Sequence, residues 1–203
     1  MIFTIVLGAA AFAAVGCLGV RLGEAVCAGI APFADGPRPG RPPTVWLVGA
    51  CAILGASLVL HGDDATRLAL SAILTVALVA CWTSDVRCGI VPDVFTLAPL
   101  GAVLLAGVLQ QEWWHVFAAI VPFVPFAAAA LASKGRGMGW GDVKLAALGG
   151  AVLGIGPAML AFAGACIVAV GIAWVRGRRT EPIAFAPYLA AAIGVCLFFG
   201  LMP

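Results

Sequence analysis

Two acidic clusters hold the side chains of this chain that could perform chemistry. The first is the glycine-dense turn Gly137-Met138-Gly139-Trp140-Gly141-Asp142-Val143-Lys144, which leads into a long apolar segment. The second runs from Asp85 to Pro92-Asp93 and ends another apolar segment. Ionisable residues at membrane depth are costly and are usually retained for chemistry. We therefore take Asp85 and Asp142 as the candidate reactive groups.

Two aspartates that face one pocket can perform general acid–base catalysis. One carboxylate takes a proton from water, and the other, when protonated, donates a proton to a carbonyl oxygen or a leaving amine. Neighbouring carboxylates share one proton because like charges resist joint ionisation. We expect Asp142, near a helix N-terminus that favours an anion, to be the base. We expect Asp85, at a helix C-terminus, to carry the proton in a coupled titration. Such a pair can hydrolyse a peptide bond.

Each acidic residue also has a structural interpretation. Asp142 could be an ordinary cap of the helix that follows, and Asp85 could be a surface acid paired with Arg87. Asp93 suits a first-turn acid of the next segment. The alternating glycines before Asp142 exceed what a cap requires, and they would let a bound peptide backbone come close. They do not form a phosphate loop, because no Gly-Lys-Ser/Thr follows them, and we expect no nucleic-acid partner.

The composition predicts an all-α, polytopic membrane protein. The chain is 64% hydrophobic and 10% charged, with a mean hydropathy of +1.14. We predict about eight transmembrane helices in one membrane domain, residues 1–203, with the catalytic motifs in about 80–200. A Pro/Gly-rich cytoplasmic linker occupies about 31–44, and a tight turn at Gly156-Pro157 divides the sixth helix from the seventh. The predicted segments are about 2–20, 45–60, 68–84, 94–110, 114–132, 143–156, 158–175 and 183–202.

The basic residues predict the orientation of the chain. Ten of the eleven fall in the first, third, fifth and seventh loops, whereas the even-numbered loops hold only Arg67. The positive-inside rule then places both termini outside and Asp85, Asp93 and Asp142 at the cytoplasmic face. The ten residues are Arg21, Arg38, Arg41, Arg87, Lys134, Arg136, Lys144, Arg176, Arg178 and Arg179.

The histidines and cysteines predict neither a metal site nor a catalytic thiol. Both histidines, His61 and His115, lie at the face opposite to the acidic clusters, so a zinc site that combines the two groups is not expected. None of the seven cysteines belongs to a Cys-x-x-Cys pair, and most fall within apolar segments, where cysteine behaves as a small hydrophobe. We expect no cofactor.

The acidic motifs resemble those of the type IV prepilin peptidases, which are membrane aspartyl proteases of the Gly-x-Gly-Asp type. The resemblance covers roughly residues 80–200 and rests on three stretches. These are 137–145, with the Gly-x-Gly-Asp sequence, 85–93, from Asp85 through Ile90-Val91-Pro92-Asp93, and 183–189, Ile-Ala-Phe-Ala-Pro-Tyr-Leu.

The resemblance implies a function and a set of site residues. Asp85 and Asp142 would be the catalytic pair, and we place Gly139, Gly141, Asp93 and Lys144 in the substrate-binding part of the site. The substrate would be a prepilin or pseudopilin, cleaved after a basic leader at the cytoplasmic face of a bacterial inner membrane.

The chain departs from longer members of that family, and two alternatives stay open. Longer members carry a cytoplasmic zinc-binding domain where this chain has the Pro/Gly linker. The first 80 residues match nothing that would indicate N-methyl transfer. The alternatives are an intramembrane protease of the presenilin or signal-peptide-peptidase kind and, outside the enzymes, a proton-coupled transporter.

Overall fold

The protein is all-α, as the composition predicts. The computed structural model describes residues 2–30, 44–62, 64–133, 138–176 and 184–202, and these form eight helices and no strand. The helices are α1 (Ile2–Ile30), α2 (Thr44–His61), α3 (Ala65–Cys88), α4 (Asp93–Leu109), α5 (Trp114–Ala132), α6 (Trp140–Leu153), α7 (Ile155–Val175) and α8 (Ala186–Phe198). The predicted linker lies outside the described residues except for its last position, Thr44, which begins α2.

Five of the described helices are long and apolar enough to cross a membrane. They are α1, α2, α3, α5 and α7, whereas α4 and α8 are shorter apolar helices. A crossing needs roughly 20 predominantly apolar residues. The prediction of a polytopic membrane protein is therefore supported. The number of crossings and the side on which each terminus lies stay predictions.

The core is built around α6, whose residues face inward on nearly every side. Val143, Leu145 and Ala146 are each 0% exposed. Gly150 faces the backbone of Ala118 in α5, where a methyl group would not fit. A short helix that is buried all round is rigidly held, so its first turn is a stable platform for Asp142.

The first helix packs closely against α3 and helps to fix the end of α3. A Cβ added to Gly23 would lie 2.8 Å from the carbonyl oxygen of Ala80 and 2.8 Å from Thr83 Cβ. Near the same end, the sulfur atoms of Cys27 and Cys88 lie in contact, with the Cα atoms of the two residues 6.1 Å apart. The sequence analysis did not predict this pair. Both contacts hold the last turns of α3 in place.

Several predicted helix boundaries are wrong. The third helix ends at Cys88 and not at about 84, and the eighth ends at Phe198 and not at about 202. The first helix continues to Ile30 instead of ending near residue 20, so Arg21 lies within α1 and not in a loop. The break between α6 and α7 falls at Gly154, where φ is 80°, and not at Gly156-Pro157. Proline is tolerated in the first turn of a helix, so Pro157 lies within α7, whereas the left-handed backbone at Gly154 requires a residue without a side chain.

Candidate active site

Asp85 lies in the last turn of α3, buried and bonded to the start of α8. Asp85 is only 8% exposed, and its Oδ2 atom accepts a hydrogen bond of 3.1 Å from the backbone N–H of Ala186. Gly89, with φ 65°, ends the helix by donating its N–H to the Asp85 carbonyl oxygen at 2.8 Å. A hydrogen bond to a carboxylate stabilises its charged form, and burial opposes that form.

The interpretation of Asp85 as the partner of Arg87 is wrong. The Arg87 guanidinium binds Glu24 of α1 instead, with Nη2 2.6 Å from Oε1. Residues two apart on a helix point in different directions, so Arg87 faces α1 while Asp85 faces α8. Among the described residues, the backbone N–H of Ala186 is the only hydrogen-bond donor to the Asp85 carboxylate.

Asp142 lies in the first turn of α6 and uses only one of its two oxygens as a cap. Oδ2 accepts a 3.2 Å hydrogen bond from the N–H of Gly139, the residue at the N-cap. The other oxygen, Oδ1, is buried and has no hydrogen-bond partner among the described residues. An ordinary cap accounts for Oδ2. A buried carboxylate oxygen without a partner is rare and costly, and it is the feature that a cap leaves unexplained.

The two aspartates are close enough for the charge of Asp142 to act on Asp85. Cys81, one turn before Asp85, is fully buried. Asp142 lies outside the five long apolar helices, and burial raises its pKa to about 6, with the Gly139 hydrogen bond acting in the opposite direction. Two buried carboxylates that sense each other can hold one proton between them, which is the state that acid–base hydrolysis requires.

Gly141 contacts the loop that follows Asp85. A Cβ on Gly141 would lie 2.5 Å from Val91 Cβ, so glycine allows the loop between α3 and α4 to rest on the first turn of α6. This contact joins the two acidic motifs. The space at Gly141 is taken by Val91, whereas among the described residues a Cβ on Gly139 would meet only Asp142 Oδ2 at 3.6 Å and Gly141 N at 3.9 Å. Gly139 thus has the more open approach of the two.

Asp93 and Lys144 form a second link between the same elements. Asp93 is an acidic residue in the first turn of α4, as predicted, and its Oδ1 lies 2.5 Å from Lys144 Nζ. This ion pair was not predicted from the sequence. The Asp93 side chain is 61% exposed, so it remains accessible beside the buried pair.

The histidines lie far from the aspartates along the helices. His115 contacts the carbonyl oxygen of Ala151, near the other end of α6 from Asp142, at 2.8 Å. His61 bonds within α2, to the carbonyl oxygen of Ser57 at 2.8 Å. Within the part of the chain that the structure describes, no group of three or more His, Cys, Asp or Glu side chains is arranged to hold a metal ion.

The third motif supplies a hydrogen-bond donor to Asp85, a role that was not predicted from the sequence. Residues 184–189 contribute a backbone N–H, that of Ala186, to Asp85, and Pro187 lies in the first turn of α8. Almost every residue has a backbone N–H, so the residue types do not indicate this donor, although Pro187 indicates that a helix begins there. Ile183 of this motif, and Gly137 of the first, lie outside the described residues.

Comparisons with known proteins agree with the motifs. The model of the family described as "Type IV leader peptidase family" matches residues 71–174, which include Asp85 and Asp142. Two relatives from Burkholderia pseudomallei, strains 1026b and K96243, are each named "Prepilin leader peptidase/N-methyltransferase" and are 34% identical over 181 residues. The match covers 81% of the chain and 56% of each relative, so the chain spans about half the length of these curated relatives. No solved structure matches the chain.

Proposed function

We propose that this chain, which belongs to the type IV leader peptidase family, removes the leader of prepilin-type proteins with Asp85 and Asp142 as its catalytic pair. Membership of a peptidase family favours hydrolysis over the transporter alternative. The observation that carries the proposal is the buried Asp142 Oδ1, which has no hydrogen-bond partner among the described residues and belongs to a carboxylate whose charge acts on Asp85. An unpartnered oxygen of this kind is suited to binding the attacking water.

The proposed reaction is a direct attack of water on the scissile carbonyl carbon. Ionised Asp142 takes a proton from the water as its oxygen bonds to the carbon, and protonated Asp85 gives its proton to the carbonyl oxygen. The product of this step is a tetrahedral diol. Because Asp85 Oδ2 accepts from the Ala186 N–H, the proton is assigned to Oδ1. After this step Asp142 is protonated and Asp85 is ionised, as the second step requires.

The diol then collapses, and the protons return. The carbon–nitrogen bond breaks, the leaving nitrogen receives the proton held by Asp142, and a hydroxyl proton of the diol passes back to Asp85. The products are a leader with a new carboxyl group and a mature protein with a new amine. Asp142 is ionised again and Asp85 is protonated, so the pair is ready for another turnover.

The proposed substrate-binding residues lie on or against α6, the helix that holds Asp142 in its first turn. Asp93, exposed and linked to α6 through Lys144, is suited to attract a basic leader. Gly139 provides the open backbone approach described above. Loop charge favours a cytoplasmic site for this end of the bundle, in the inner membrane of a bacterium.

The proposal is tested with the purified protein in lipid bilayers and a tagged substrate that has a basic leader, a glycine and an apolar helix. We expect wild type to remove the leader, and Asp85→Asn and Asp142→Asn each to lose about 10²–10⁴-fold in rate. The matched control is Asp64→Asn, an exposed aspartate that caps the other end of α3 through the N–H of Arg67 at 2.7 Å. Unchanged processing by both site variants would reject the pair.

A further inference from the structure

A groove opens between α2, α3 and α8, beside the candidate active site. Its volume is about 570 Å³, and its walls are apolar side chains with small residues on α8. Thr75 lies at its floor, but its hydroxyl is used within α3, where it donates to the Ser71 carbonyl oxygen at 2.7 Å. The groove is therefore shaped for an apolar occupant.

Two of the three walls lead directly to Asp85. Trp82 lines the groove on α3 and precedes Asp85 by one helical turn. Ala190 lines it on α8, one turn after Ala186, whose N–H binds Asp85 Oδ2 at 3.1 Å. The groove thus ends within one turn of the candidate catalytic carboxylate on both helices.

At the opposite end of the groove, α2 and α8 are joined by a hydrogen bond. There Ser57 Oγ of α2 donates to the carbonyl oxygen of Phe198 in α8 at 2.6 Å, so the two walls meet. Between Trp82 and Thr75 the groove follows seven residues of α3, which is about 10 Å or two helical turns. Its outer edge is formed by side chains that are largely exposed, Ile53 at 62% and Val195 at 55%.

We propose that this groove binds the first two turns of the substrate's apolar helix, immediately after the scissile bond. The inference rests on the proposed function, because that substrate carries an apolar helix next to its cleavage site. A helix seated there presents its end to Asp85. Helices associate in lipid through close packing on small residues, and α8 offers Ala190, Ala191 and Gly194 on this wall. A lipid chain could fill the same space, but unlike the substrate helix it has no group at its end that would react with a carboxylate.

The test fills the groove without disturbing the fold. In the part of the chain that the structure describes, a Cβ added to Gly194 meets nothing within 4 Å, and the same holds for Gly164 on α7, which does not line the groove. We compare Gly194→Phe with the matched control Gly164→Phe in bilayers, using the full-length substrate. Gly194→Phe is expected to raise KM about tenfold or more, equivalent to about 1.4 kcal/mol, with kcat within about twofold. Gly164→Phe is expected to leave both constants unchanged.

The outcomes separate this inference from the proposed function. If wild type processes the substrate and Gly194→Phe has the KM of the control, the groove proposal is overturned and the peptidase proposal stands. If wild type processes nothing, the peptidase proposal fails and the groove proposal fails with it.

A second measurement covers the case in which Gly194→Phe does not fold. A photoreactive residue replaces Val195 in the groove or, as control, Val170, a residue of α7 that is 64% exposed. Asp142→Asn is combined with each so that the substrate stays intact. We expect an adduct with the substrate's apolar helix from position 195 and not from 170. Adducts with lipid alone from position 195 would overturn the proposal.

Discussion

Val91 rests on Gly141, so closely that a Cβ on the glycine would lie 2.5 Å from Val91 Cβ. This contact brings the loop after Asp85 onto the turn that holds Asp142. The two aspartates are 57 positions apart in the chain, and their approach depends on such contacts between α3, the loop and α6.

Replacement of Gly141 by alanine is expected to separate the two motifs. The new methyl group would displace Val91, and overpacking of this kind costs about 1–3 kcal/mol. We expect a lower thermal midpoint and slower leader removal. The double variant Gly141→Ala/Val91→Gly should recover both, because it removes the opposing Cβ.

The matched control for this prediction is Gly101→Ala in α4, where an added Cβ meets no described residue within 4 Å. It should be neutral or slightly stabilising, as alanine favours helix over glycine by about 1 kcal/mol. If Gly141→Ala behaved like this control, the contact with Val91 would not position the site.

Neutralisation of Asp142 is expected to remove activity without weakening the fold. Its pKa is raised from an ordinary 3.8 to about 6, so the folded protein loses stability as pH rises from about 4 to about 6. At pH 7.5 the charged form is therefore the unfavourable one, and Asp142→Asn should be as stable as wild type or more stable by about 1–3 kcal/mol. Thermal unfolding followed by tryptophan fluorescence measures this. A marked fall in the midpoint would mean that the carboxylate serves the fold.

The rate of leader removal should fall as the solution becomes acidic. Asp142 must be ionised to accept a proton from water, and burial raises its pKa to about 6. We therefore expect kcat/KM to drop about tenfold for each unit below this pH, and to fall again at higher pH, where Asp85 loses the proton that the first step requires. A profile from pH 4.5 to 8 in bilayers gives the midpoint. A midpoint near 4 would show that the base is an ordinary exposed carboxylate.

Asp93 and Lys144 should have opposite effects on a substrate with a basic leader. Asp93→Asn removes an accessible charge and should raise KM, whereas Lys144→Gln frees Asp93 from its 2.5 Å ion pair and should lower KM. Partly exposed pairs contribute only about 0.2–1 kcal/mol to stability, so neither variant should unfold. Equal KM values for leaders with and without basic residues would argue against this role.

The Cys27–Cys88 pair offers a test of orientation. It lies one turn from Asp85, and disulfides are rare in the reducing cytoplasm. If this end faces the cytoplasm, as loop charge favours, the partly exposed Cys88 thiol should react with a permeant maleimide in growing cells. It should be protected after purification in air, when the other five cysteines stay free. Protection already in growing cells would place the site on the outer side.

Much of the fold could be predicted because apolar runs are long and are broken by charged or proline-containing turns. The fourth and fifth predicted segments, about 94–110 and 114–132, nearly coincide with α4 and α5. The first helix was predicted too short because the charged residues Arg21 and Glu24 follow the apolar run, as is typical of a loop. Long charged side chains are nevertheless tolerated at the end of a membrane helix.

The candidate site could be predicted only in part. The aspartates stand out because charged residues are rare in an apolar chain. The donor from Ala186 and the contact between Val91 and Gly141 depend on tertiary packing, which no local pattern encodes. The pairing of Arg87 with Glu24 likewise brings together residues 63 positions apart.

Both α6 and α8 begin at the site and are short, with 14 and 13 residues. Each therefore extends only about 20 Å, against a hydrocarbon core of about 30 Å. If their far ends reach the opposite surface, the bilayer must be thinned beside them, or their first turns must lie below its surface in a hydrated depression. In either case water has a path to a peptide bond that lies level with the lipid headgroups.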